Sequence, residues 1–354
     1  MTRALRASRI LLFVAWLIIL WWAIGLAVEG IGGILTSRAA ALDPPFSVDE
    51  LRSPREGCLL GIYVSGVPGD MRLLEEAEER VRRGFPLISV YQAWGSRPEQ
   101  QFDPRPLNRI LARGAIPVLT WEPWVTDFSN FGLRPMPDRQ IQNLRAIAKG
   151  DYDFYIEGWA RAAKRWGHPL MVRLAHEMNA SWYPWGEHAF RNTAADYVDM
   201  WRHVVGIFRR VDADNVIWVW SLALRPFTED LYPGSEYVDW VSITVLNFGT
   251  TPPGWQWRSF KELFSTHYAE LRKLGKPIMI AEVASAEEGG DKARWISEAM
   301  SSLSSDFPLV RAFIWFNVAQ DLYWPINWSL TSSQKATRAF RRATADPHFI
   351  ARPR

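Results

Sequence analysis

The chain has 354 residues, 48% of them hydrophobic and 22% charged, and its 41 basic and 38 acidic side chains leave a formal net charge of +3. This is the profile of a folded protein of one or two domains, and it excludes disordered, collagen-like and low-complexity architectures. No run of five or more like charges marks a nucleic-acid surface, and the lone Cys58 allows neither an intrachain disulfide nor a CxxC motif. The aromatic content is high: 20 Trp, 18 Phe and 10 Tyr. Such rings stack on sugars, fill cores or anchor segments at membrane surfaces, so their positions along the chain decide their use.

Ile10 to Val28 forms an uncharged apolar run of 19 residues, preceded by Arg3, Arg6 and Arg9 and followed by Glu29. As a helix it spans roughly 28 Å, enough to cross a bilayer core. The positive-inside rule then leaves residues 1–9 in the cytoplasm and everything after residue 29 outside, in the periplasm or extracellular space, as a single-pass protein of the cytoplasmic membrane. The competing reading is a cleaved signal peptide with Ala39-Ala40-Ala41 as its cleavage site. That site lies far beyond Val28, and the apolar run exceeds the roughly 7–15 residues of a usual signal-peptide core, which favours an uncleaved anchor. Residues 29–56 are expected to be a linker, its stretch 36–55 a polar, Pro-containing tether. The folded domain is expected at 57–345, with 346–354 as a tail.

Beyond residue 57, short apolar runs alternate with amphipathic stretches, the pattern of buried parallel strands joined by helices. The runs fall at 58–66, 87–95, 115–123, 169–179, 215–223, 238–249, 277–285 and 310–318. Helices are expected at 71–83, 105–113, 152–166, 194–211, 258–274, 291–305 and 333–344, and the connection after the fifth strand has room for only a single turn. Eight strands in about 300 residues match an α/β fold of the (β/α)8 TIM-barrel type, which typically takes about 250 residues plus insertions. A doubly wound open sheet is the alternative, but no GxGxxG or GxxxxGK[ST] loop follows any strand.

A barrel builds its chemistry at the C-terminal ends of its strands. There the sequence places Tyr91 and Trp94 (second strand), Trp121 and Glu122 (third), His176, Glu177 and Asn179 (fourth), Asn247 (sixth), Glu282 (seventh), and Trp315 and Asn317 (eighth). Carboxylates in a Trp-lined mouth are what glycoside hydrolysis requires: one protonates the leaving oxygen while the other attacks, or guides water, at the anomeric carbon. Glu177 sits in an apolar-aromatic block and Glu282 in the otherwise apolar run 277–285, where an unpartnered charge is costly. Glu122 reads equally as a substrate contact or as a structural partner for a barrel arginine such as Arg173. HEMNA lacks the second His of an HExxH zinc motif, so His176 reads as a sugar contact or core histidine. Trp94, Trp182, Trp185, Trp315, Asn179 and Asn247 complete the candidate substrate contacts, whereas Trp159, Trp166 and Trp201 fall on helices and read as packing. The chemistry requires no metal and no organic cofactor.

The segment Arg173-Leu-Ala-His176-Glu177-Met178-Asn179, followed by Ala-Ser-Trp182-Tyr183-Pro184-Trp185-Gly186, resembles the signature of glycoside hydrolase family 26, which includes β-mannanases and mixed-linkage β-glucanases. The resemblance implies that Glu177 is the general acid/base, with His176 beside it in the substrate subsite. It implies Glu282, in Ile280-Ala281-Glu282, as the nucleophile and Trp315 as the floor of the subsite holding the cleaved sugar. Two positions depart from the family pattern. Leu246 stands where a Tyr commonly hydrogen-bonds the nucleophile, and Val283-Ala284 where Phe-Gly is frequent. The family also implies a retaining endo-β-glycanase acting on a β-1,4-linked mannan or glucan, which the apolar run would make membrane-anchored. For Glu177 to act as an acid near neutral pH its pKa must be raised, and the charge of Glu282 is the expected cause. The alternatives are a catalytically weak barrel that binds polysaccharide beside an exopolysaccharide synthase, and a transglycosylase.

Overall fold

A computed structural model describes residues 42–129, 132–133, 138–226 and 229–352. The apolar run Ile10–Val28 and most of the expected linker lie outside these residues. Among those described, no helix is long and apolar enough to cross a membrane.

Eight parallel strands follow one another around a sheet: β1 (Cys58–Val64), β2 (Leu87–Ala93), β3 (Ile116–Glu122), β4 (Leu170–Leu174), β5 (Val216–Leu222), β6 (Trp240–Asn247), β7 (Ile278–Ser285) and β8 (Val310–Asn317). β8 pairs with β1, and β1 with β2, so the sheet closes into a barrel. The outer helices are α2 (Arg72–Val81), α3 (Pro104–Leu111), α4 (Asn143–Ala148), α5 (Asp153–Trp166), α6 (Ala194–Arg210), α7 (Phe260–Leu271), α8 (Lys292–Ser305) and α9 (Gln334–Ala343). Their starts are written in capping residues. Thr193 and Ser259 form capping boxes with Asp196 and Glu262, and Asp103, Asp291 and Ser333 accept backbone N–H bonds at the starts of α3, α8 and α9. The connection after β5 holds two short 3-10 turns, Glu229–Leu231 and Ser235–Tyr237.

Both expected ends of the domain move outward. Residues 48–52, placed by sequence in the tether, form a one-turn helix α1 (Val48–Arg52) with a Ser47–Glu50 capping box, and the compact unit begins at Pro44. The indole of Trp240, at the N-terminal end of β6, donates to the carbonyl of Leu51 at 2.6 Å, so α1 covers the lower end of the barrel. The expected tail also belongs to the fold. Its Phe349–Ile350 (β9) pairs with Cys58 and Leu59 of β1, and Arg352 bridges to Gly84. Two paired residues are too few to produce a sequence pattern.

One irregularity matters for the site. From Ile280 to Val283 β7 advances three residues while β8 advances two (Phe313 to Trp315). Against β6, Ile243 pairs with Ile280 but Thr244 with Glu282. β7 therefore carries one extra residue on both sides, a bulge that reverses the in–out alternation just before Glu282.

Candidate active site

Tyr91 of β2, Arg173 of β4 and Glu282 of β7 come from strands that are not neighbours, so they meet only across the barrel's interior. Glu282 Oε1 accepts from the Tyr91 hydroxyl at 2.7 Å and from Arg173 Nη2 at 2.5 Å. All of Arg173 is buried. Burial alone would lower the pKa of its guanidinium, but the neighbouring carboxylate of Glu282 more than offsets this and raises it, so the charge is permanent. Of the two readings of Glu122, the ion pair with Arg173 is not found among the described residues. Glu122 accepts instead from the indole of Trp124 at 3.2 Å, and burial lifts its pKa to about 6.

Glu177 is positioned by strained backbone. Past Leu174 the chain leaves β-geometry, with Ala175 at φ 43° and Glu177 at φ 57°, the left-handed region that non-glycine residues rarely occupy. The segment is held there by neighbouring strands: Ala175 N–H donates to the Trp121 carbonyl and Glu177 N–H to that of Ser221. A second clamp is the approach of Gly186 to Ala180, where any Cβ at residue 186 would fall 1.8 Å from the Ala180 carbonyl oxygen. Only glycine fits that turn.

The side chain of Glu177 is buried and accepts from the indole of Trp182 at 2.8 Å. Its pKa is raised to about 7, first by burial and then by the negative charge of Glu282, while Arg173 and the donors on Thr244 and Trp182 pull it down. The sequence reading named Glu282 as the cause, but desolvation is the larger effect. The mouth thus holds a carboxyl that is substantially protonated near neutral pH and a second carboxyl in an ion pair, the division of labour that acid-assisted displacement needs.

The other predicted contacts divide. Half of Trp182 is exposed (50%) beside Glu177, with the Arg225 guanidinium 5.0 Å from its ring centroid. His176 is buried between Tyr91, Tyr183 and Trp185, and burial, reinforced by Arg173, holds its pKa well below the ordinary value, so the ring is neutral. Its Nδ1 is buried and has no hydrogen-bond partner among the described residues.

Five expected contacts are corrected. Trp315 has no exposed surface; its indole donates to the Trp328 carbonyl and its ring packs on Trp295 of α8 and Phe340 of α9, so it points away from the mouth. Its neighbour Phe316 faces inward instead, stacked on Tyr63 at 5.3 Å, and Tyr63 in turn meets Tyr91 edge-on. Trp94 is likewise buried outside the barrel, against Trp121 and Tyr155. Trp185 is fully buried, stacked on Tyr183 at 4.6 Å with its indole on the His176 carbonyl, and supports the site from behind. Asn179 and Asn247 spend their amides on protein. Asn179 accepts from Ala223 N–H at 2.7 Å and donates to nearby carbonyls; Asn247 donates to Ser285 and accepts from Gly249 N–H.

Tyr91 was visible at a strand end, but its bond to Glu282 was not. It supplies the phenol that Leu246 cannot, from β2 instead of β6. Trp324, partly exposed on the loop after β8, is a further aromatic outside the strand-end pattern.

The glycosyl hydrolase family 26 profile matches residues 115–341. The chain belongs to this family. Endoglucanase H of Acetivibrio thermocellus is 34% identical over 310 residues, covering 84% of this chain and 31% of that protein. A mannan endo-1,4-beta-mannosidase of Bacillus subtilis is 27% identical over 134 residues, 35% of this chain and 33% of that protein. This family 26 chain therefore spans about a third of the length of these curated relatives. Among solved structures, a GH26 beta-mannanase from Bacteroides ovatus superposes with a TM-score of 0.63 at 16% identity, covering 86% of this chain and 93% of that one. Bacillus subtilis mannanase man26 superposes at 0.59 with 19% identity, covering 86% and 90%. These likenesses agree with the closed barrel.

The reassigned tryptophans separate by experiment. Trp315→Ala should cost about 3–5 kcal/mol in urea unfolding, as for other buried aromatics, whereas Trp182→Ala should leave stability nearly unchanged and weaken oligosaccharide binding in calorimetry. The opposite pattern would return Trp315 to the cleft.

Proposed function

We propose that this domain is a retaining endo-β-glycanase acting on a β-1,4-linked glucan or mannan, with Glu177 as acid/base and Glu282 as nucleophile. The observation that carries the reading is the pair itself: two glutamates in one barrel mouth, one lifted to about 7 by burial, the other ion-paired and hydrogen-bonded by Arg173 and Tyr91. In the first step protonated Glu177 gives its proton to the leaving glycosidic oxygen as Glu282 attacks the anomeric carbon, forming a glycosyl ester. Water, deprotonated by the now ionised Glu177, then cleaves the ester and restores both groups. The bond from Tyr91 orients the carboxylate of Glu282 and leaves its second oxygen available for attack. This arrangement argues against a barrel that only binds polysaccharide, because a binder needs no such division between its carboxyls. Trp182, Phe316 and Trp324 are the aromatic faces offered to sugar rings. The identity to an endoglucanase over most of the chain supports glucan before mannan.

Glu282→Ala should abolish turnover of β-glycan oligomers, with partial recovery in azide and a glycosyl azide among the products; undiminished hydrolysis would remove Glu282 from this role. Comparison of glucan, mixed-linkage glucan, glucomannan and mannan oligomers identifies the backbone.

The run Ile10–Val28 supports a second element of the proposal, a domain tethered outside the cytoplasmic membrane. Immunoblots of cells expressing the full chain should find it in the membrane fraction, accessible to protease added outside; a soluble product starting near Leu42 would contradict the anchor.

A further inference from the structure

Lys292, the first residue of α8, is completely buried. Its placement is doubly unfavourable: an ammonium is removed from water, and it stands at the helix end where the peptide dipoles already concentrate positive charge. Burial pushes its pKa down to about 8, opposed by the nearby carboxylate of Glu287. What it gains is a grip on the loop after β8. Nζ donates to the carbonyls of Asn327 at 3.0 Å and Ser329 at 2.9 Å and to the Ser332 hydroxyl at 2.9 Å, and that hydroxyl donates to Glu287 Oε1 at 2.6 Å. One cation thereby joins the loop that follows the Glu282 strand to the loop that follows β8.

The remainder of the β8 loop is tied as firmly at its base and open at its tip. Asn317 Oδ1, at the end of β8, accepts from Leu330 N–H and the Ser329 hydroxyl. Asp321 accepts from the N–H groups of Tyr323 and Trp324 through Oδ1 and from the Trp328 indole through Oδ2. These bonds hold out an apolar tip, with Leu322 91%, Tyr323 86% and Trp324 38% exposed, on the same end of the barrel as the mouth. A rigid base carrying a bare aromatic tip is suited to a flat ligand and wasteful for a loop that only connects two elements.

We propose that Lys292 is a positioning residue for substrate: by locking the base of the β8 loop it sets the Tyr323-Trp324 tip against sugar units of the bound glycan, without touching substrate itself. The inference rests on the glycanase reading for its ligand class. Because the tip contacts bound chain and not the reacting bond, loss of the lock raises KM on long substrates and leaves kcat and short substrates unaltered.

The test compares Lys292→Met, Tyr323→Ala and the double variant of the full chain on a β-1,4-linked hexasaccharide and on an aryl β-disaccharide of the same sugar. Expected is a rise of about tenfold in KM for the hexasaccharide in each single variant, with kcat nearly constant, and a rise in the double variant smaller than the product of the two, because both act through one loop and only Trp324 remains to be displaced once Tyr323 is gone. Ser332→Ala, which removes one of the three bonds, should shift KM the same way by less and serves if Lys292→Met does not fold. Equal losses on both substrates, a fall in kcat, or additive effects would each overturn the proposal. A wild-type protein that hydrolyses no β-glycan would overturn the glycanase reading alone; the same variants are then compared by calorimetric affinity for the hexasaccharide, where an unchanged Kd in Lys292→Met overturns the positioning role.

Discussion

The ion pair between Arg173 and Glu282 is the constraint on which the site is built. A guanidinium with no exposed surface at the centre of a barrel is tolerable only with a carboxylate against it, and removing either partner typically costs about 3–5 kcal/mol by stranding the other. Satisfying that pair requires a carboxylate pointing inward from β7, which the bulge before Glu282 provides, and leaves Glu282 with a second donor, Tyr91, from β2. Three strands on different sides of the barrel are thereby joined by one carboxylate oxygen.

The pair also divides the two glutamates chemically. Glu282 takes the cation and the phenol; Glu177 takes burial, one indole bond and the repulsion of its neighbour. Its protonated form is therefore favoured in the folded protein up to about pH 7, where an exposed glutamate has long been ionised. The left-handed backbone at Ala175 and Glu177 presents this carboxyl to the cleft, and the glycine-only turn at Gly186 and the buried stack of Tyr183 and Trp185 hold that conformation.

The barrel and its two glutamates were legible in the sequence because apolar strand runs, the amphipathic stretches between them and charges inside apolar blocks are local signals. What the sequence obscured follows from geometry with no local trace. A strand alternates with period two, so the single step from Trp315 to Phe316 exchanges the helix-facing side for the barrel's interior. Trp94 is turned the same way, against Trp121 and Tyr155. The bulge in β7 worked in the other direction, letting Glu282 face inward where strict alternation from Met279 would have aimed it out. Tyr91 and Glu282 lie 191 residues apart, so the phenol that compensates for Leu246 was visible only as an aromatic at a strand end. The short elements α1 and β9 carry too few residues for any periodicity, and their incorporation into the domain emerged only from the Trp240 bond and the pairing with β1.

The most direct test of the account is the titration of Glu177 itself, followed by carbon-13 NMR of glutamate side-chain carboxyls in the wild-type protein and in Glu282→Gln, with assignment by Glu177→Gln. A midpoint near 7 is expected in the wild type and a lower one in Glu282→Gln, still above the ordinary value of 4.5 because burial remains. A wild-type midpoint near 4.5, or one that does not move when the charge at residue 282 is removed, would contradict it.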